Sequence, residues 1–149
     1  MKPIHIIIVT ILLLSSPLAS IGQSIFEVKF IAGMTQYRAA LVLFDGGTGK
    51  MRVRYYTQDK GTVMVEQTIR IENTVNGMRL TGYTPVYPGT RVRYPSYTAD
   101  NFYLSRNEYG SMSIINIDDS GNTSTATIRL IDDAYEKRRF LSGFDWSLN

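Results

Sequence analysis

The segment KMRVRYYTQDKGTVMVEQTIRIE (residues 50–72) determines the fold class of the chain. In its first part Met51 and Val53 alternate with arginines, and in its last part valine and isoleucine alternate with polar residues. A period of two is typical of half-buried β-strands. The linking TQDKG (57–61) has the composition of a hairpin turn. The segment therefore predicts two antiparallel strands joined by a short turn.

The same alternation recurs along the rest of the chain, between short clusters rich in Gly, Asn and Asp. Short turns between successive strands predict an antiparallel meander. We expect an all-β domain of about eight strands, as a small barrel or a two-sheet sandwich. The further strand segments are 26–30, 36–44, 78–83, 101–105, 111–117 and 123–131.

The C-terminal segment is the one candidate helix. Asp132 or Asp133 is a suitable N-cap for a short helix through AYEKRRF (134–140), whose basic residues suit a helix C-terminus. The helix or aromatic tail is expected to pack over the sheet or a barrel mouth, through Tyr135, Phe140, Phe144 and Trp146.

Residues 1–22 have the pattern of a secretory signal peptide. Lys2 precedes an apolar run that is too short to span a membrane, and small residues follow before Gln23. We expect cleavage to leave a single exported domain, residues 23–149, in the periplasm or outside the cell. No transmembrane segment is expected after cleavage.

The residue types that are missing exclude several kinds of chemistry. The chain has no cysteine, and its single histidine, His5, lies in the predicted signal peptide. The domain therefore lacks a Ser-His-Asp triad, a Cys-His pair and the usual zinc ligands. We predict no catalytic residues, no cofactor and no metal, so the protein is not expected to be an enzyme. The net charge of +3 is too small to favour a nucleic-acid partner.

Two glycine-containing motifs have simpler explanations than ligand binding. GGTGK (46–50) lacks the spacing and the following Ser or Thr of a phosphate-binding loop. DDSGNT (118–123) lacks the glycine and glutamate that a calcium loop requires at its sixth and twelfth positions. Both motifs are predicted to be turns.

The segment 83–100 is the main candidate for a binding surface, because it concentrates prolines, tyrosines and arginines without a strand pattern. Long irregular segments are often functional, and Tyr and Arg are suited to protein or glycan contacts. The alternative is that its tyrosines fold back over an open end or edge of the sheet. The oligomeric state stays open. The predicted binding residues are Tyr83, Tyr87, Arg91, Arg93, Tyr94 and Tyr97.

A non-enzymatic binding module is the first functional hypothesis, and there are two alternatives. One is a lipocalin-like carrier of a small apolar ligand, since an eight-stranded barrel can hold one. The other is a glycan hydrolase that uses a pair of carboxylates. The inward-facing residues of the barrel would include Phe26, Phe30, Leu41, Val53, Tyr55 and Ile128.

We make a separate prediction for the strand face that carries Arg52 and Arg54. Glu66 or Glu72 on the next strand is expected opposite one of these arginines, depending on register. We predict a solvated, charged exterior that is neither a core nor a platform for nucleic acid.

Three runs, LVLFDGGTGKMRVRYY, PVYPGT and PSYTADNFYL, resemble stretches of small exported all-β proteins of Bacteroidota type. The resemblance spans roughly residues 36–131. It implies an exported single domain and carries no known activity.

Overall fold

A computed structural model of the chain describes residues 23–147; the predicted signal peptide, 1–22, and residues 148–149 lie outside the described residues. No helix within 23–147 is long and apolar enough to cross a membrane. Eight strands and one helix follow one another: β1 (Gln23–Ala32), β2 (Thr35–Phe44), β3 (Thr48–Thr57), β4 (Gly61–Thr74), β5 (Gly77–Val86), β6 (Asn101–Arg106), β7 (Met112–Ile117), β8 (Thr123–Ile131) and α1 (Ala134–Ser142).

The strands form a closed antiparallel barrel. Each strand pairs with the next, and β1 pairs with β8, placing Phe26 opposite Leu130. Closure leaves no unpaired edge strand among residues 23–147, which explains how a domain without disulfides protects its backbone hydrogen bonds. The prediction of an all-β meander of about eight strands is confirmed, and the architecture is a barrel, not a sandwich.

Alternate residues of every strand face inward and form the main core. Phe30 meets Phe102 edge to face at 5.1 Å, an arrangement that favours the opposed quadrupoles of two rings. Phe26, Leu41 and Val53 were predicted to face inward and belong to this core, and Ile128 packs against it. The other buried members are Val28, Phe30, Ala39, Leu43, Met51, Ile69, Met78, Leu80, Phe102, Leu104 and Ile114.

Helix α1 packs on the outside of the barrel and covers part of the sheet. Asp133 caps it by accepting a hydrogen bond from the Glu136 backbone nitrogen at 2.8 Å, as predicted. The tail also contacts the sheet as expected, except that Tyr135 is 66% exposed. The cluster between helix and strands comprises Ile25, Ala40, Val42, Ile131, Phe140, Leu141 and Phe144, with Trp146 partly buried against it.

The strand face that carries Arg52 and Arg54 lies beneath this tail and differs from its prediction. Arg52 does lie opposite Glu66 and is joined to it at 2.6 Å, but the two residues are only 8% and 5% exposed. Arg52 also donates to the backbone oxygen of Phe144 at 3.0 Å and lies over the ring of Trp146 at 4.8 Å. The expectation of a solvated exterior was wrong here, because strand alternation cannot reveal which later segment covers a face.

The segment after residue 83 also differs from its prediction. Strand β5 continues to Val86 through a bulge at which Thr84 has a φ of 50°, and Val86 pairs with Arg93 as an antiparallel bridge. The chain from 85 to 94 is therefore a small hairpin, and Gly89 lies at its tip with a φ of 72°. The irregular segment is shorter than its composition suggested.

The two glycine-containing motifs are hairpin turns, as predicted. Gly46 and Gly47 have left-handed φ values of 90° and 79° between β2 and β3. The Asp118 carboxylate accepts hydrogen bonds from the backbone nitrogens of Ser120 and Asn122. Within residues 23–147 no three His, Cys, Asp or Glu side chains are grouped as metal ligands.

Candidate functional site

A cavity of about 620 Å³ opens at one end of the barrel, and we call it the mouth cavity. This is the end where β1 and β3 finish and the turns β3–β4 and β7–β8 project. The segment 94–100 closes one side of it. The lining residues are Ala32, Tyr37, Tyr55, Thr57, Asp59, Lys60, Val63, Tyr94, Ser96, Tyr97, Thr98, Ala99, Asp100, Asn116, Ile117, Asp118, Asp119 and Ser120.

A row of aromatic rings forms one wall of the mouth cavity. The ring of Tyr37 stacks on Phe30 of the core at 4.8 Å. Tyr55 meets Tyr37 at 5.1 Å, and Tyr97 meets Tyr55 at 5.7 Å, each pair tilted rather than parallel. Because the row begins on the packed core, its rings are held in place without a bound ligand. We call Tyr37, Tyr55 and Tyr97 the tyrosine wall.

Asp100 is held beside the tyrosine wall by a hydrogen-bond network. Its Oδ2 accepts from the Tyr97 hydroxyl at 2.6 Å and from the Gln67 side-chain nitrogen at 2.7 Å. The Asp100 backbone nitrogen in turn donates to Gln67 Oε1 at 2.9 Å. Gln67 is 1% exposed, so the amide that positions the carboxylate is itself fixed inside the barrel.

Gly82 makes room for this network. Its backbone nitrogen donates to the Asp100 backbone oxygen at 2.8 Å. A Cβ at position 82 would lie 2.5 Å from Gln67 Oε1 and 2.6 Å from the Asp100 backbone oxygen. Only glycine permits this close approach of β5 to the segment that carries Asp100.

Burial perturbs the acid–base behaviour of the network. It raises the pKa of the Asp100 carboxyl to about 6, although the hydrogen bonds from Tyr97 and Gln67 favour the ionised form. Burial likewise raises the pKa of Tyr97, and the nearby Asp100 carboxylate raises it further. The pKa values of Tyr37 and Tyr55 are also raised, mainly by burial. A carboxyl group that titrates near neutrality inside a cavity is characteristic of functional sites.

The rim of the mouth cavity is acidic. Asp59, Asp118 and Asp119 lie on the two projecting turns, and Lys60 is the one basic residue among the described residues of the lining. Hydrogen bonds within its own turn, first from Asn122, lower the pKa of Asp118, so this carboxylate stays charged.

The six residues predicted as a binding face are divided between the mouth cavity and the outer surface. Tyr94 and Tyr97 line the mouth cavity, and Tyr94 is only 7% exposed. Their position fits the alternative prediction, that tyrosines fold back over an open end. The other four lie outside the lining and are exposed: Tyr83, Tyr87, Arg91 and Arg93.

Sequence reasoning did not single out Tyr37, Gln67 and Asp100, which the structure brings together at the mouth cavity. Gln67 carried a detectable signal, because it is a polar residue on the inward face of β4 between Val65 and Ile69. No comparable local signal marked Asp100, because only Tyr97 among its partners is close in sequence, three residues away, whereas Gln67 and Gly82 are 33 and 18 residues away along the chain. A carboxyl group with a raised pKa was therefore not expected.

These features define a class: an eight-stranded up-and-down barrel with an outer helix and an acidic, tyrosine-walled cavity at one end. No protein-family model, curated protein or solved structure matches the chain. Function is therefore inferred from the chemistry of the site itself. The resemblance to exported Bacteroidota proteins stays a prediction.

Proposed function

We propose that the protein is an exported, non-catalytic binding protein that holds a small polar ligand in the mouth cavity. The observation that carries the proposal is the cavity of about 620 Å³, where aromatic walls and a hydrogen-bonded carboxylate converge. Ligand sites typically enclose about 300–1,000 Å³ and combine such walls with a few placed polar groups. Within the predicted binding segment 83–100, Tyr94 and Tyr97 are the residues that would contact this ligand.

The position and chemistry of the cavity favour a polar ligand over the apolar cargo of a lipocalin-like carrier. Phe30, Leu41 and Val53 are at most 2% exposed and pack into a continuous core below the cavity. A long apolar ligand on the barrel axis would have to displace these side chains. The mouth cavity, by contrast, is lined by hydroxyls, amides and carboxylates.

The arrangement of the carboxylates favours binding over glycoside hydrolysis. A hydrolase needs a proton-donating acid and a second carboxylate that acts as base or nucleophile. Asp100 has the raised pKa of an acid. Asp118, however, is engaged on both oxygens by its own turn, which opposes a role as nucleophile. We therefore infer that Asp100 serves recognition, and no release of reducing ends from a panel of glycans is expected.

The exposed half of the segment supports a second candidate function, a surface for a protein or glycan partner. Tyr83 and Tyr87 are 41% and 43% exposed, and Arg91 and Arg93 are exposed beside them. Tyr87 contacts the lining residue Tyr94 at 4.8 Å, but the two arginines lie outside the cavity lining, so their substitution tests this surface without altering the mouth cavity. A pull-down with Arg91→Ala plus Arg93→Ala tests it, and a partner retained by that variant would contradict it.

The experiment for the main proposal combines native mass spectrometry of the purified protein with thermal-shift screening. The panel contains neutral sugars, organic anions and organic cations. Ala32→Trp places a large ring in the mouth cavity, whereas Ile31→Trp places the same ring on the outer face of the same strand. We expect a ligand whose binding is lost in the first variant and kept in the second. Binding that survives Ala32→Trp, or no binding by any compound, would contradict the proposal.

A further inference from the structure

The charge of the mouth cavity is opposite to that of the domain. Lys2 is the only one of the 16 lysines and arginines that precedes residue 23, so the domain has 15 basic residues against 13 acidic ones. The cavity lining nevertheless holds four aspartates and one lysine. A concave site with one sign of charge focuses the electrostatic field and raises the local concentration of oppositely charged ligands. Cations are therefore drawn to this end of the barrel.

Asp100 offers an oxygen that the protein itself does not use. Both side-chain hydrogen bonds to its carboxylate are accepted by Oδ2, and Oδ1 has no hydrogen-bond partner among residues 23–147. Asp100 is one of the residues that line the cavity. Charge–charge attraction is stronger beside a poorly solvated group than in bulk water. An unpaired carboxylate oxygen in such a place is suited to a cationic group.

The tyrosine wall adds a second element of cation recognition. The face of an aromatic ring carries negative electrostatic potential and attracts a cation within about 6 Å of its centre. Tyr37, Tyr55 and Tyr97 all line the cavity, and their rings are tilted by 42° and 34° between neighbours. The three rings therefore contribute aromatic surface to the wall of the cavity, where a cation can reach it.

The hydrogen-bonding groups of the site also favour a cationic ligand. The Tyr97 hydroxyl and the Gln67 amide nitrogen already donate to Asp100. Carboxylate acceptors on Asp59, Asp118 and Asp119 surround the opening. A site rich in acceptors is complementary to a ligand that carries positive charge or donors, and it repels anions.

We propose that the mouth cavity binds a small organic cation, an ammonium- or guanidinium-bearing molecule held between the tyrosine wall and the Asp100 carboxylate. This inference rests on the proposed function and assigns the chemical class of its ligand. The tyrosine wall supplies shape and π faces, Asp100 supplies the counter-charge, and Gln67 holds the carboxylate in position.

Isothermal titration calorimetry at pH 7.5 with two matched probes tests the inference. Choline carries a quaternary ammonium group, and 3,3-dimethylbutan-1-ol has the same shape with carbon in place of the charged nitrogen. We expect choline to bind at least about tenfold more tightly, because only the cation gains from the carboxylate and the π faces. We expect Asp100→Asn to weaken choline binding at least about tenfold and to leave the neutral probe unchanged. Asp45→Asn, a matched control in the exposed turn at the other end of the barrel, is expected to change choline binding less than about threefold.

The outcomes separate this inference from the proposed function. Equal affinity for the two probes would overturn the cation inference, as would unchanged choline binding in Asp100→Asn. If only sugars or anions of the screening panel bound, and Ala32→Trp abolished that binding, the cation inference would fail while the proposed function stood. If no compound bound at all, both would fail. The comparison of the two probes uses the unmodified protein, so it does not depend on the folding of any variant.

Discussion

Replacing Asp100 by Asn tests whether the ionised carboxylate of Asp100 destabilises the folded protein. The substitution keeps the shape of the side chain and an oxygen that can accept from Tyr97 and Gln67, and it removes the ionisation. Burial raises the pKa of Asp100 from its ordinary 3.8 to about 6 in the folded protein. The folded state therefore binds more protons than the unfolded state between these two values.

The sign and size of the effect follow from this difference. With a folded-state pKa above the unfolded one, the contribution of Asp100 to stability is fully present below pH 3.8 and is lost as the pH rises through about 6. The difference in pKa corresponds to about 3 kcal/mol in the free energy of unfolding. The stability of the Asn variant does not fall in this way as the pH rises, because its side chain does not ionise. Relative to the parent protein, it should therefore gain about 3 kcal/mol between pH 3.5 and pH 7.5. The nearby Tyr37, Tyr55 and Tyr97 do not titrate in this window, because their pKa values are raised.

Urea unfolding of both proteins at pH 3.5, 5 and 7.5, followed by circular dichroism, measures this difference. Unchanged urea dependence of the free energy of unfolding would show that the substitution alters stability and not the compactness of either state. Asp119→Asn, at an exposed position on the rim, serves as the control and should differ from the parent by less than about 0.5 kcal/mol at every pH. If Asp100→Asn showed the same stability difference at all three pH values, the carboxylate would be well solvated and the description of the site would be wrong.

Three other substitutions test the structure around the site. Arg52→Ala removes the buried partner of Glu66, which keeps only the half-exposed Lys50 at 3.7 Å as a cationic partner, and should cost about 3 kcal/mol in urea unfolding. Arg79→Ala at an exposed pair should cost less than about 0.5 kcal/mol, and equal losses would argue against the covered ion pair. Gly82→Ala forces its Cβ against the backbone of Asp100 and should cost about 1–3 kcal/mol, measured by thermal unfolding, with weaker ligand binding; an unchanged variant would contradict the close approach. Tyr94→Ala removes a ring that is 7% exposed and should cost about 3–5 kcal/mol, so a stability like that of the parent would refute its buried position.

The strands and their order could be predicted from the sequence because local patterns encode them. Val53 and Val65 lie on the inward face in the structure, as the alternation indicated, and the turn at 57–61 sets their register directly opposite each other. A one-residue slip would reverse every inward side chain, so the hydrophobic pattern and the turn together specify the pairing. The pairing of Arg52 with Glu66 followed from the same rule.

Closure of the barrel and the cover on its outer face could not be predicted, because they depend on contacts between distant segments. Phe26 and Leu130 pair across more than one hundred residues with no local signal. Arg52 is buried by Phe144 and Trp146, which the aromatic content of the tail suggested without indicating where they would pack.

The mouth cavity was only partly predictable for the same reason. The composition of the segment 83–100 drew attention to Tyr94 and Tyr97, which line the cavity, but it did not distinguish inward from outward side chains. Asp100 acquires its environment only when closure of the barrel brings Gln67 and Gly82 beside it. A polar residue on an apolar strand face, such as Gln67, is the most useful sequence signal for such a site.

Mapping amide chemical shifts on ¹⁵N-labelled protein tests the central claim, that the mouth cavity is the ligand site. The titration uses the tightest-binding compound of the screening panel. We expect the largest shifts on Tyr37, Tyr55, Tyr97 and Asp100, and no change in the turn at 45–47 at the other end of the barrel. Shifts concentrated on the outer hairpin at 87–93, or spread over the outer face of the barrel with the mouth silent, would contradict this claim.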